Sequence, residues 1–387
     1  MLKVVLIQSK FAKSKKSERV AMFNKKTIRD IDVEGKVVLV RVDYNVPMGE
    51  DGVESDLRIR ASLPTIDYLV THGAKKILLI SHLGRPEGKP DPKYSLVPVY
   101  DKLAKMIMYS DDIKKKDGET PQVSFLSTFE KEYVAESLDK LGDIVLFENL
   151  RFYPQEEEND EEFARYIVES TGAEIFVQDG FAVIHRAHAS TDAIAKRIPA
   201  VAGLLVEKEV SVLTSAISNP EKPVLVIIGG AKVDDKKPLI EKFLPIADDI
   251  CVGGKIAADG YEAEDAKIYV ASDFNEDETG AKLDIGTKST KEILEKIHFA
   301  KTIVWNGVVG LTEKEPFDLA SKTIARAIGH RADATSIICG GDTTGFIENL
   351  QKDEPELKYS LVSTGGGASL ELLSGLELPG LAVLQDK

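Results

Sequence analysis

The chain has 387 residues, 43% apolar and 29% charged, a folded composition that excludes disordered and collagen-like chains. At roughly 150 residues per domain it holds two or three domains. Lys and Arg total 50 against 64 Asp and Glu, a formal charge of −14, which repels a nucleic-acid backbone and leaves room only for a small anion at a local cluster of cations.

Taken in order, residues 1–21 form a basic N-terminal extension: Lys3, Lys10, Lys13, Lys15, Lys16 and Arg19 face one acid, Glu18. They read as a frayed extension rather than a transit peptide, with Met22 as an alternative start. From Lys26 onward, short β-branched runs alternate with helical patterns. Strands are predicted at 37–42, 77–81, 144–147 and 175–178 in the first half. In the second half they are predicted at 224–228, 250–252, 268–270, 302–305, 336–339 and 361–363. Ile59, Leu63, Ile66 and Val70 share one helix face that stops at Gly73. Leu96, Val99, Leu103 and Ile107 share another behind Ser95, read as its N-cap. Leu239, Phe243 and Ile246 mark a third.

The acidic run Glu156–Glu162 reads as a solvated loop entering a helix, not a metal site. No run approaches the ~18 apolar residues of a membrane helix, so no membrane contact is expected. Cys251 and Cys339 are too few for a disulfide framework and read as buried thiols in a reducing compartment.

Apolar strands separated by helices imply parallel sheets covered on both faces. Ten strands are many for one core. The predicted fold class is therefore α/β, with two doubly wound parallel-sheet domains joined by a hinge helix at 203–217. The domains are expected at 22–202 and 218–373, with 374–387 as a tail packing back on the first.

Ligands bind beyond the carboxyl ends of parallel strands, so the strand ends carry the functional reading. The first half places Arg41, His82, Arg85, Arg151, His185, Arg186 and His188 there, cations suited to a small polyanion. The second half places glycines there: Gly229-Gly-Ala-Lys232, Gly253-Gly254, Gly307, Gly340-Gly-Asp-Thr343 and Gly365-Gly-Gly367. Glycine lets the backbone approach phosphate. Neither the dinucleotide fingerprint nor the Walker motif occurs, and His185 and His188 lack partners for a zinc set. Phosphoryl transfer across a cleft, between a small anion and a nucleotide, is the reading these residues support.

Several of these segments resemble phosphoglycerate kinases. They are Arg41-Val-Asp-Tyr-Asn45, Asp56-Leu-Arg-Ile-Arg60, Ser81-His-Leu-Gly-Arg-Pro86, Glu148-Asn-Leu-Arg151, His185-Arg-Ala-His188, Gly229-Gly-Ala-Lys232, Trp305-Asn-Gly307, Gly340-Gly-Asp-Thr343 and Thr364-Gly-Gly-Gly367. The resemblance implies reversible phosphoryl transfer from 1,3-bisphosphoglycerate to Mg-ADP, giving 3-phosphoglycerate and ATP, by a cytoplasmic monomer. It implies 3-phosphoglycerate contacts at Asp43, Asn45, Arg58, His82, Arg85, Arg151 and Arg186. It implies nucleotide contacts at Lys232, Lys236, Asn306, Glu313, Gly340, Gly341, Asp342 and Thr343, with Mg²⁺ on Asp342. Arg58, Lys232, Gly366 and Gly367 are the implied catalytic set.

The chain departs from the family pattern at Cys339, Lys255 and Asp179-Gly-Phe-Ala182, and its stretch 257–282 is shorter than expected by at least one helix. A non-catalytic or altered-nucleotide descendant is the alternative, and a dehydrogenase a more distant one.

Overall fold

The computed structural model describes residues 23–50, 52–232, 234, 236–263 and 265–387, so the basic extension lies outside the described residues. The first sheet contains β1 Val37–Arg41, β2 Lys76–Ile80, β3 Val123–Leu126, β4 Ile144–Phe147, β5 Ile175–Gln178 and β6 Ala200–Ala202. Their order is β3-β4-β2-β1-β5-β6, and every pairing is parallel. The second contains β7 Val224–Ile228, β8 Asp249–Val252, β9 Ile268–Val270, β10 Thr302–Asn306, β11 Thr335–Cys339 and β12 Leu361–Val362. It is also parallel, in the order β9-β8-β7-β10-β11-β12.

The continuous apolar strands follow from burial on both faces. In β1, Val38 and Val40 pack with Ile59, Ile66 and Leu103 of the helices on one side. Leu39 packs with Phe147 and Phe176 on the other. Each such side chain contributes roughly 1.5–3 kcal/mol by leaving water. The strand order reverses between β1 and β5 in the first sheet and between β7 and β10 in the second. Crevices for ligands open at such points, beyond the strands' carboxyl ends.

The helix Leu204–Ser218 connects the sheets. Asp179, just after β5, accepts a hydrogen bond from the Leu205 amide at 3.0 Å, and Thr65 Oγ1 accepts one from the Leu204 amide at 2.9 Å. These satisfy two of the free amides at the helix start. Further along, the buried Glu209 accepts from the Thr364 amide at 2.7 Å and its hydroxyl at 3.1 Å, tying the same helix to the loop after β12. The last residues return to the first sheet, where the Gly380 amide donates to Ile184 O at 2.8 Å and the Gln385 amide to Ala200 O at 3.1 Å.

Several expectations need correction. The strands β3 and β6 and two short hairpins, Met48–Gly49 with Gly52–Val53 and Phe274–Glu276 with Lys282–Ile285, are additional to those predicted. Leu96, not Ser95, is the N-cap residue of the helix Val97–Met108, while the Ser95 hydroxyl accepts from the Val97 amide at 3.3 Å and donates to Glu148 at 2.8 Å. The third predicted helix ends at Phe243, before Ile246. The acidic run divides: Asp160 caps the helix Glu161–Thr171, whereas Glu156 is fully buried. Between the helix Gly254–Ala258 and β9, the described residues contain turns but no helix. Among the described residues, no helix is long and apolar enough to cross a membrane.

Candidate active site

The carboxyl ends of β1, β2, β4 and β5 surround a cavity of about 310 Å³. Asp43, Asn45, Arg58, His82, Arg85, Arg151 and Arg186 all line it, as does His185, whereas Arg41 and His188 of the predicted cationic set are buried and do not line it. Gly365, Gly366 and Gly367 reach the same cavity from beyond β12.

Local bonds hold these groups in place. Arg58 pairs with Asp43. Asn45 Oδ1 accepts from the Gly84 amide at 2.9 Å, and Arg151 donates to Gly84 O at 2.8 Å while pairing with Glu157 at 3.0 Å. Asn149 fixes the turn carrying Arg151, accepting from its amide at 3.0 Å and donating to Leu83 O at 2.7 Å.

Beneath the cavity lies a buried polar network. Arg41 Nε donates to Ser190 Oγ at 2.7 Å, and a second guanidinium nitrogen meets His82 Nδ1 at 3.1 Å. Ser190 gives Glu156 two hydrogen bonds, from its hydroxyl at 2.6 Å and its amide at 2.9 Å. Glu156 Oε1 also faces His188 Nδ1 at 3.8 Å. Burial pushes the Glu156 carboxyl up in pKa, and Arg41 and Ser190 pull it back. Burial, then Arg41, Arg151 and Arg58, hold His82 well below the ordinary imidazole range. His188 is pushed down to about 4 by burial and the same cationic surroundings. Both shifts favour the neutral imidazole.

The second site sits at the switch point of the other sheet. A cavity of about 240 Å³ is lined by Gly230, Ala231, Lys232, Lys236, Gly307, Gly340, Gly341, Asp342 and Thr343. Here backbone does much of the shaping. Gly307 has φ 92°, and a Cβ there would come within 2.3 Å of the Gly229 backbone, so β7 and β10 can end this close together only with glycine. The Gly307 amide donates to Thr343 Oγ1 at 2.7 Å. Lys236 donates to Asn306 Oδ1, and Asn306 Nδ2 in turn meets Cys339 Sγ at 3.3 Å. Asn306 thus supports the site from behind. Glu313 is exposed and does not line this cavity. Both cysteines are free and buried, which raises their pKa values to about 12 at Cys251 and about 11 at Cys339.

A third cavity, of about 260 Å³, adjoins both. It shares Asn45, Arg58 and Gly366 with the cationic cavity and Gly341 with the glycine-lined one. Across it, the Ser55 hydroxyl reaches both carboxylate oxygens of Glu348, at 2.7 and 2.6 Å. Sequence reasoning missed Glu156, Ser190, Ser55 and Glu348. Their partners lie 34 to 293 positions away, so no local pattern marks them.

A sequence model of the family described as phosphoglycerate kinase matches residues 28–276 and 257–376. The chain is 40% identical to the phosphoglycerate kinase of Chloroflexus aggregans, covering 94% of this chain and 99% of that protein. The chain belongs to the phosphoglycerate kinase family. A second relative, from Chloroflexus aurantiacus, is 39% identical over the same shares. Among solved structures, the phosphoglycerate kinase of Coxiella burnetii superposes with a TM-score of 0.72 at 31% identity, covering 93% of this chain and 98% of that one. That of Pyrococcus horikoshii reaches 0.76 at 26% identity, over the same shares.

Family membership makes the chain a kinase, although the second sheet has the strand order common among dinucleotide-binding folds. The two stretches matched by the family model overlap at 257–276, inside the segment read as shortened.

Proposed function

We propose that the chain transfers a phosphoryl group reversibly between 1,3-bisphosphoglycerate and Mg-ADP, giving 3-phosphoglycerate and ATP. The observation that carries this reading is the adjacency of the three cavities. A cationic pocket on one sheet and a glycine-lined pocket on the other both share wall residues, among them Arg58, Gly366 and Gly341, with a third cavity.

In this reading, 3-phosphoglycerate is held by Asp43, Asn45, His82, Arg85, Arg151 and Arg186. The nucleotide phosphates are held by Lys232, Lys236 and the Gly340–Thr343 turn, with Asn306 supporting Lys236 and Glu313 reaching the ribose outside the phosphate cavity. The bond from the acyl oxygen to phosphorus breaks, its electron pair staying on the departing carboxylate. A β-phosphate oxygen of ADP forms the new bond in line. No proton changes hands, so no general base is required. Arg58 and Lys232 neutralise the charge on the phosphoryl in flight, and the backbone at Gly366 and Gly367 lines its path.

A magnesium ion fits this donor set. Asp342 offers an exposed carboxylate inside the glycine-lined cavity, and the described residues contain no group of three acidic, His or Cys ligands that would cage a metal without substrate. One carboxylate plus phosphate oxygens is the usual environment of Mg²⁺. When bound, it would neutralise phosphate charge.

The reading includes a first domain at 22–202, a connecting helix near 203–217 that bends as the cleft closes, a second domain at 218–373, and a tail at 374–387. The chain works as a cytoplasmic monomer. A coupled assay of ATP formation from 1,3-bisphosphoglycerate and Mg-ADP tests the function. Turnover that requires both substrates is expected. Binding of both without turnover would favour the non-catalytic alternative.

A further inference from the structure

The group that sets the chemistry of His82 lies behind the cationic cavity. Arg41 is 1% exposed at the last position of β1, and its guanidinium is committed on three sides. Nε donates to Ser190 Oγ at 2.7 Å, Nη1 donates to Val42 O, and Nη2 lies 3.1 Å from His82 Nδ1. A guanidinium has donors and no usable lone pair. In its contact with His82 the imidazole nitrogen is therefore the acceptor, and a neutral ring then carries its proton on Nε2.

The other side of Arg41 fixes its orientation. Ser190 Oγ accepts from Arg41 and passes its own proton toward Glu156 Oε1 at 2.6 Å, while the Ser190 amide donates to Oε2 at 2.9 Å. A buried arginine needs such an acceptor chain and a nearby opposite charge to stay in place. Glu156 supplies both without reaching the cavity itself, since it is fully buried and does not line it. His82 does line it, and its Nε2 bonds to no protein group among the described residues.

We infer that Arg41 is a positioning residue: through Nδ1 it locks His82 in the Nε2–H tautomer, so that His82 meets an anionic oxygen of the substrate as a hydrogen-bond donor. The relay Glu156–Ser190–Arg41 holds that lock from behind. An imidazole free to choose would present an acceptor lone pair to the anion part of the time and repel it. The groups facing His82 from the neighbouring elements are Arg41, Arg58, Arg151, His188 and, at 4.0 Å, Asp43. Burial, and then the cations among them, disfavour a second proton on the ring. The lock itself rests on the structure; only the identity of the anion, 3-phosphoglycerate, rests on the function proposed above.

Nitrogen-15 spectra of the ligand-free protein with labelled histidines test the lock. The His82 signals are identified among the six histidines by their loss in His82→Gln. Nδ1 should show the shift of an unprotonated nitrogen and Nε2 that of a protonated one, unchanged from pH 5.5 to 8. A protonated Nδ1, a mixture of tautomers, or titration near pH 6.5 in the unmodified protein would overturn the proposal.

Arg41→Met should then give mixed tautomers and raise the KM for 3-phosphoglycerate about tenfold, the effect of losing one oriented hydrogen bond to a charged group. The KM for Mg-ATP should not move, and Arg41→Lys should recover part of the loss by restoring one donor. An unchanged KM in a folded Arg41→Met protein with scrambled tautomers would remove the positioning role. The spectra require no substrate. Failure of the unmodified protein to phosphorylate 3-phosphoglycerate would therefore sink the proposed function and leave the tautomer result standing.

Discussion

The two halves of the site are built by opposite means. The first sheet uses long cationic side chains anchored from below: Arg58 on Asp43, Arg151 on Gly84 and Glu157, and His82 on Arg41. The second uses backbone brought close by glycine, with Lys232 and Lys236 added at the rim. A side-chain pocket has many donors that can be truncated one at a time. A backbone pocket has few side chains to lose, yet it cannot admit a Cβ. The first half should therefore be sensitive to deletion of atoms and the second to their addition.

The largest effect expected on this view is catalytic. Arg58→Ala should lower kcat by roughly 100-fold or more, the scale of one lost electrostatic donor to a transition state. Lys232→Ala should also reduce kcat more than it raises the KM for ADP. Near-normal kcat in Arg58→Ala, or a pure KM effect in Lys232→Ala, would reassign these residues to ground-state binding. Next in size is Gly307→Ala. The added methyl would strike the Gly229 backbone at a positive φ, so a stability loss of about 1–3 kcal/mol is expected, with weakened nucleotide binding. Urea unfolding and nucleotide titration read the two effects. An unaffected protein would show that the junction of β7 and β10 is not held by close packing.

A smaller effect concerns the base. Lys255 stands at the start of the short helix Gly254–Ala258 and pairs with Asp259 at 2.7 Å, beside the shortened segment. With fewer apolar contacts available to a base, the kcat/KM preference for ADP over GDP should stay below a few hundred-fold. A stronger preference would show an intact base pocket.

A pH-dependent effect is expected at the connecting helix. Burial pushes Asp179 up to about 7, against hydrogen bonds from Thr65 and the Leu205 amide that pull it down. Its native pKa thus exceeds the unfolded value of 3.8, so between these pH values the native state binds more protons than the unfolded one. Stability falls across that window and the cost levels off above it. Asp179→Asn should therefore raise Tm relative to the native sequence by an amount that grows between about pH 4 and 7 and is constant beyond. A pH-independent difference would mean that the carboxyl ionises normally.

Much of this was legible in the sequence because apolar runs and strand-end residues are local signals. The ten predicted strands coincide with sheet strands, within a residue or two at their ends, and five of the seven predicted strand-end cations line one cavity, Arg41 and His188 being buried and not lining it. β6 escaped because Ala200-Val-Ala202 has too little β-branched character, and β3 because Val123-Ser-Phe-Leu126 is short and mostly half-buried. Glu156 looked solvated because it opens an acidic run. Only its distant partner Ser190 shows why one acid of that run turns inward. The Ser55–Glu348 contact lay beyond reach for the same reason.

The central claim is that each sheet holds one substrate and that transfer occurs only when the halves meet. Small-angle scattering of the protein alone, with 3-phosphoglycerate, with Mg-ATP, and with both tests it most directly. In this account the radius of gyration falls further with both ligands than with either one, as the cleft closes about the helix Leu204–Ser218. The same radius in all four states would contradict it.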